Sequence, residues 1–155
     1  MSTTPVLSPA DLLTHWQGHR KLTRRVIEAF PEESLLTFSI GGMRPFAALA
    51  TELTAIGAPM VKEIVSGEAT PYSENVPKSK AEVLANWDAA TAELDAWFAK
   101  VPPAKFEETL TVFGQYTGPV WSHFFYAIDN EVHHRAQGYV YLRALGIEPP
   151  PFWER

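Results

Sequence analysis

The residue types that could do chemistry are concentrated near the carboxyl end of the sequence. Asn130, His134, Gln137 and Tyr141 recur at intervals of three and four, which places them on one face of a helix. Asn130 and His134 are one turn apart, so both could bind one metal ion or one substrate. The adjacent His133 points about 100° away and is not expected to share that ligand. Taken alone, a helical histidine is more often a hydrogen-bonded core residue than a metal ligand.

Two further groups carry weaker signals. Glu52 stands beside apolar positions of a predicted helix, where a carboxylate is either an exposed flank residue or an inward-facing ligand. The composition of the segment favours exposure, because burying an unpaired carboxylate is costly. His15 and His19 have the i, i+4 spacing of a metal-binding pair, but this spacing is frequent by chance. The favoured interpretation is a surface pair with Trp16 buried between its members.

Four amphipathic segments are predicted to form the helices that position these residues. Their apolar side chains recur at helical spacing over residues 9–30, 45–65, 80–98 and 119–145. Ser79 and Glu82 form a capping-box pattern before the third helix. Gly146 follows the fourth helix, where a helix-ending glycine is expected. Long helices with long crossover connections predict an all-α fold, a four-helix bundle.

The remaining segments are predicted to be tails and connections. Residues 1–8 are expected to be a flexible arm, and residues 9–155 a single domain. Residues 104–118 alternate in a β-like pattern, which predicts either a brief strand pairing or a flat packing on the bundle. Phe152 and Trp153 are expected to pin the carboxyl tail to the body of the protein.

Composition and charge exclude several classes of protein. The 155 residues carry 13 basic and 18 acidic side chains, a net charge of −5, which is unlike a nucleic-acid-binding protein. The absence of cysteine excludes a disulfide framework, a zinc ribbon and a cysteine nucleophile. The amino terminus lacks the basic and apolar parts of a signal peptide, and no apolar run approaches the ~20 residues of a membrane span. We therefore expect a cytoplasmic protein that binds neither nucleic acid nor membrane.

A long motif at the end of the sequence resembles the signature of the DinB/YfiT-like family. The family's pattern is a histidine, three residues, then His-Arg-Gly-Gln, followed by Tyr-Leu-Arg, a glycine and Pro-Pro. Here the motif reads His134-Arg-Ala-Gln137, then Tyr141-Leu-Arg143, Gly146 and Pro149-Pro150. The resemblance implies a bundle of up-down-down-up topology, usually a homodimer. It also implies a divalent metal held by three histidines, chemistry with small thiols such as bacillithiol or mycothiol, and induction by stress or DNA damage.

Two of the three family ligands are replaced in this sequence. By the resemblance, the metal ligands fall on Glu52, Asn130 and His134, of which only the last is a histidine. One interpretation is a lost site whose side chains form a hydrogen-bonded core network. The other is an altered site, whose extra oxygen donors lean toward Mn²⁺, Mg²⁺ or Fe²⁺ over Zn²⁺. We expect a divalent metal (Mn, Fe, Ni or Zn) to be weakly bound or absent.

A bound metal would, by the resemblance, lower the pKa of a coordinated thiol or water as a Lewis acid. Any thiol must be a small molecule, because the chain has no cysteine. Gln137 and Tyr141 are expected to position the substrate in a pocket walled by aromatic rings. The expected rings are Trp16, Trp87, Trp121, Phe124 and Phe125. The prediction is a metal-dependent transferase or hydrolase with an altered site, linked to stress or DNA damage; the alternative is a non-catalytic stress-response scaffold that has lost the metal.

Overall fold

The computed structural model describes residues 6–155, and residues 1–5 of the predicted arm lie outside the described part of the chain. The described residues form five helices, a short 3-10 turn and a hairpin. The helices are α1 (Pro9–Ala29), α2 (Glu32–Thr37), α3 (Phe46–Ser66), α4 (Lys80–Phe98) and α5 (Val120–Ala144). The 3-10 turn is Pro103–Glu107, and the antiparallel hairpin is formed by β1 (Thr109–Val112) and β2 (Tyr116–Pro119).

Local sequence signals set the starts of two long helices. Ser8 caps α1: its side chain accepts from the backbone N–H of Asp11, whose carboxylate accepts from the Ser8 backbone N–H. Ser79 caps α4 by accepting from the backbone N–H of Glu82 at 3.2 Å. The Glu82 carboxylate accepts from the backbone N–H of Lys78 rather than from that of Ser79, so only half of the predicted capping box forms.

Contacts along α4 and α5 show how these helices run relative to α1. Residue numbers rise on α1 as they fall on α4, because Gln17 bonds Asp95 while Lys80 bonds the Phe30 carbonyl at the other end. These two helices are therefore antiparallel. Residue numbers rise in the same direction on α1 and α5. The rings of Trp16 and Phe124 pack at one level, and seven residues further along each helix Thr23 bonds Glu131, so these two helices are parallel.

The direction of α3 completes the topology. Phe46 packs against Gly138, and Glu52 lies opposite His134 and Asn130, so α3 runs antiparallel to α5. The four long helices are thus up, down, down and up in chain order, which confirms the all-α bundle and its predicted topology. The hairpin lies against one end of the bundle. It realises the strand pairing, one of the two alternatives predicted for residues 104–118, and extends it to Pro119.

A layer of buried polar side chains divides the apolar core in two. One apolar cluster lies toward the hairpin and the other toward the opposite end of the bundle. Between them, Glu131 is 1% exposed and accepts from Thr23 at 2.6 Å. Arg20 lies 3.8 Å from the same carboxylate, with its guanidinium stacked 4.0 Å above the ring of Trp87. Because buried charges are costly unless paired and hydrogen-bonded, this layer requires one relative placement of α1, α4 and α5.

Several expectations about aromatic residues are wrong. Trp16, Trp87 and Phe124 are buried core residues rather than pocket walls. Trp121 and Phe125 are instead exposed on α5.

The tail prediction also fails. Phe152 and Trp153 are 66% and 68% exposed, so these rings do not pin the tail. Polar contacts hold it, since Tyr139 donates to the Pro150 carbonyl and Arg25 pairs with Glu154.

Among residues 6–155, none of the helices combines the length and the apolar character that a membrane span requires.

Candidate functional site

The close approach of α3 and α5 brings the three sequence-predicted site residues together. The Glu52 carboxylate lies 3.1 Å from the Asn130 amide nitrogen and 3.1 Å from His134 Nε2, through the same oxygen, Oε1. Gly138 permits this approach, because a Cβ atom there would lie 2.5 Å from the ring of Phe46. The site therefore exists because two antiparallel helices meet at a glycine.

Glu52 faces inward, contrary to the expectation from local composition alone. Its side chain is 15% exposed and pairs with Arg44, which precedes α3. Burial disfavours the ionised carboxylate, but hydrogen bonds from Arg44 and Asn130 and the imidazole of His134 outweigh burial. The pKa of Glu52 therefore lies below its ordinary value, and the side chain is an anion at neutral pH.

Gln137 contacts a site residue rather than open space. Its Oε1 lies 2.6 Å from His134 Nδ1, and its Nε2 lies 3.2 Å from the sulfur of Met43. Such a contact fixes the orientation of the imidazole ring. Gln137 thus positions His134, one turn away on α5, instead of lining a cavity.

Tyr141, the other residue expected to position a substrate, is fully buried. Its hydroxyl donates to the backbone carbonyl of Arg44 at 2.9 Å. Tyr141 therefore anchors the backbone of Arg44 to α5. Its influence on the site is indirect, through the position of Arg44.

A cavity of about 560 Å³ opens beside Glu52, between α3, α5 and the hairpin. Its wall includes Glu52 toward the middle of the bundle and His123 toward the hairpin. Its aromatic walls are residues that the sequence did not single out, namely Tyr72, Phe113, Tyr116 and Tyr126. The volume is in the range of a small-molecule binding site.

His123 is a functional candidate for which the sequence indicated a place on the helical face but no role. It is 8% exposed, and its Nε2 lies 3.1 Å from the Leu110 carbonyl on β1. A carbonyl can only accept, so the proton lies on Nε2 and the Nδ1 lone pair is left to accept another. The signal was present in the sequence, because His123 shares the helical face of Asn130 and His134.

Two tyrosines on the cavity wall are held in the neutral form. Burial, together with the charge of Glu52 and the neighbouring Tyr116, raises the pKa of Tyr126. Burial and a hydrogen bond from its hydroxyl to Glu74 raise the pKa of Tyr72. Both phenols are therefore hydrogen-bond donors at neutral pH.

Comparison with known sequences identifies the family. The sequence profile of the DinB family matches residues 1–155, the whole chain. This chain belongs to the DinB family. Comparison with curated protein sequences finds no significant match.

Solved structures share the fold of this DinB-family protein. A DinB-like protein from Bacillus cereus has a TM-score of 0.74 and 18% identity, covering 92% of this chain and 95% of that chain. The DinB-like protein YjoA from Bacillus subtilis has a TM-score of 0.74 and 14% identity, covering 93% and 99%.

A mycothiol-dependent maleylpyruvate isomerase is similar over 88% of this chain but only 63% of its own, with a TM-score of 0.60 and 16% identity. At these identities the likeness establishes the fold alone.

The donor atoms of this DinB-family site do not fit the divalent metal that the resemblance implies. Within residues 6–155, no three His, Cys, Asp or Glu side chains converge to hold a metal ion. Asn130 turns its amide NH₂ group, not its oxygen, toward Glu52. Arg44 already pairs with the same carboxylate.

The second histidine pair is a hydrogen-bonded pair. The Nε2 atoms of His15 and His19 are 3.2 Å apart. Arg135 lies 3.0 Å from Nδ1 of His19 and Arg155 lies 2.9 Å from its Nε2, so both ring nitrogens of His19 face a guanidinium. A divalent cation at this pair would therefore lie beside two positive charges. His15 is exposed as predicted, whereas His19 is buried.

Proposed function

We propose that this DinB-family protein is a transferase or hydrolase that acts on small organic molecules in the cavity beside Glu52. The observation that carries the proposal is that one cavity of small-molecule size has both a fixed carboxylate, Glu52, and a buried histidine, His123, on its wall. A carboxylate and an imidazole in one partly apolar cavity are the usual components of acid–base chemistry.

The two residues have different roles in the proposal. His123 accepts a proton at Nδ1 from a thiol, a hydroxyl or a water molecule, since its Nε2–H is held by the Leu110 carbonyl. Glu52 is too weak a base for that step, because its pKa is lowered. It instead accepts a hydrogen bond from the substrate, since a carboxylate oxygen can accept more than one. The neutral phenol of Tyr126 donates to developing negative charge on the substrate, whereas the hydroxyl of Tyr72 is already donated to Glu74.

A small-molecule thiol is the nucleophile that we propose to test first. The chain contains no cysteine, so a thiol-dependent reaction needs a thiol from solution. The mycothiol dependence of the similar isomerase belongs to that protein, and motivates including mycothiol and bacillithiol in the test.

The test is a screen of small thiols with activated electrophiles, and of esters and amides, using the purified full chain. Replacing the proton acceptor in His123→Gln should lower kcat by about 10²- to 10⁴-fold. Glu52→Gln should lower kcat less. His133→Gln is the matched control, because that histidine lies exposed on the same helix. Turnover that survives both cavity substitutions unchanged would contradict the proposal.

A non-catalytic scaffold is the second candidate, and one observation favours it. The side chains of Glu52, Asn130, His134 and Gln137 bond to one another in an unbroken chain. Such a network stabilises the bundle without requiring a substrate. If no substrate class turns over while Glu52→Ala markedly lowers the melting temperature, the scaffold becomes the better account.

The metal-dependent form of the enzyme stays a prediction. In it, Glu52, Asn130 and His134 hold Mn, Fe, Ni or Zn weakly. Elemental mass spectrometry on protein purified without chelator or nickel resin checks it.

We also propose that the protein is a homodimer, that it is cytoplasmic, and that stress or DNA damage induces it. The exposed rings of Trp121 and Phe125 on α5 support the dimer. The cytoplasmic location rests on composition and is checked by fractionation. Induction by stress or DNA damage rests on the family resemblance and is checked by transcript levels after DNA damage.

A further inference from the structure

Both oxygens of the Glu52 carboxylate already have a hydrogen-bond donor. Oε1 of Glu52 accepts from Asn130 and lies beside His134, and Oε2 is paired with the guanidinium of Arg44. A fixed cation thus sits on the same carboxylate that would have to bind a metal.

Arg44 is held in place by more than its charge. The fully buried Tyr141 donates to its backbone carbonyl at 2.9 Å, which ties the start of α3 to α5. Its guanidinium also lies 3.5 Å from Glu74, in the segment between α3 and α4. The Arg44 side chain is 44% exposed, so its pair with Glu52 depends on these two contacts and on the largely buried carboxylate rather than on burial of the guanidinium.

We propose that Arg44 is the resident cation of this site, occupying the place that a divalent metal takes in metal-binding relatives. A guanidinium stays charged at all ordinary pH values, and Arg44 directs one terminal nitrogen at Glu52 and the other toward Glu74. A divalent ion would have to displace it from the carboxylate, or bind beside a positive charge. Glu52 and Asn130 stand where the family pattern has histidines. A carboxylate binds a guanidinium better than an imidazole does, and Asn130 donates to that carboxylate.

The same residue connects the site to the cavity wall. Arg44 bonds Glu74, and Glu74 accepts from the hydroxyl of Tyr72, which lines the cavity. Arg44 therefore links Glu52 to the segment that carries Tyr72. The inference shares its location with the proposed function but not its chemistry, so it can stand or fall whether or not the cavity turns a substrate over.

The first test measures Zn²⁺ and Mn²⁺ binding by titration calorimetry and elemental mass spectrometry. The wild-type chain should bind neither ion above background. Arg44→Gln frees the carboxylate and should raise affinity on the order of tenfold or more, an effect that adding Glu52→Gln abolishes. Arg24→Gln is the matched control, because it removes an arginine–carboxylate pair elsewhere, with Asp88. Glu52→His combined with Asn130→His restores three histidines and serves as the positive control for metal detection.

Two outcomes would overturn the inference. One is a wild-type chain that holds stoichiometric metal and loses it on Glu52→Gln. The other is a folded Arg44→Gln variant that binds metal no better than the wild type.

A second readout does not involve metal. Hydrogen exchange around Tyr72 should become several-fold faster in Arg44→Gln, because the bonded chain from Glu52 is cut. Unchanged exchange there would show that Arg44 does not hold the cavity wall.

Discussion

His19 illustrates how a single buried side chain acquires an unusual charge state. Arg135 donates to its Nδ1, and the guanidinium of Arg155 and the ring of His15 lie against its Nε2. Burial first, and then the charges of Arg135, His15 and Arg155, lower the pKa of His19 from 6.5 to about 4. The ring is therefore neutral in the folded protein at any pH where the protein is ordinarily handled.

The free energy of unfolding should decrease as the pH is lowered, because of this residue. Between pH 6.5 and 4 the unfolded chain binds a proton on His19 that the folded chain does not, so acid favours unfolding. We expect about 2 kcal/mol of stability to be lost across that window, after allowing for solvent screening of a partly hydrated ring. Denaturant unfolding at a series of pH values measures the loss. His19→Gln should flatten the curve, and the exposed His133→Gln should not; an equal slope in all three proteins would refute this account.

At the scale of the helices, two glycines show how local packing decides whether an alanine substitution stabilises or destabilises the protein. Gly138→Ala would place a Cβ 2.5 Å from the ring of Phe46, and should cost about 2 kcal/mol by overpacking α3 against α5. Gly57→Ala places its Cβ 3.5 Å from Trp16, an ordinary contact, and should stabilise α3 by up to about 1 kcal/mol. Thermal unfolding of the two variants should therefore shift in opposite directions. Shifts of the same sign would mean that the helices can separate at Gly138 without cost.

One carboxylate on α3, Glu63, helps attach the hairpin to the bundle. Glu63 on α3 is 8% exposed and accepts from the backbone N–H of Phe113 in the hairpin turn and of Thr70 in the segment before α4. Phe113 has a positive φ of 52°, which a non-glycine residue adopts only when its surroundings hold it there. Glu63 thus fixes the conformation of part of the cavity wall.

Glu63→Ala should cost about 2 kcal/mol, the loss of hydrogen bonds to a charged acceptor. Amide exchange at Phe113 and Thr70 should accelerate more than exchange in α5. The exposed Glu68→Ala is the control and should leave both amides protected. Protection of Phe113 that is unchanged in Glu63→Ala would show that the strands alone hold the turn.

At the scale of the whole molecule, the exposed apolar face of α5 is the candidate surface for self-association. Trp121 and Phe125 are 43% and 41% exposed, and Val132 lies on the same face two turns further along. Exposed aromatic rings grouped on one face are typical of an interface between proteins.

If α5 forms the dimer interface, Trp121→Glu should weaken self-association on the order of thirtyfold or more, as expected for a buried aromatic anchor. Sedimentation velocity over a concentration series measures it. Trp153→Glu is the matched control, because that ring is 68% exposed on the carboxyl tail. A wild-type chain that stays monomeric at high concentration would remove the dimer proposal altogether.

Much of the architecture could be predicted because its causes are local or periodic. Apolar spacing predicted the long helices, a serine cap marked the start of α1, and the motif from His134 onward identified the family. The family's ligand pattern, by resemblance, also pointed to the three side chains that meet, Glu52, Asn130 and His134. Local composition alone placed Glu52 at the surface, since a short window contains no information about a partner such as Arg44.

By itself, then, the sequence determined the helices, their order and the family to which they belong, because hydrophobic periodicity and capping act within a few residues. Only the tertiary structure decided the contents of the site. It seats Arg44 on Glu52, places His123 on the cavity wall, buries Tyr141 away from it, and leaves Phe152 exposed. The positions of His123 and Tyr141 depend on contacts with other elements of the fold, and the Glu52–Arg44 pair, although only eight residues apart in the chain, depends on how α3 packs against α5.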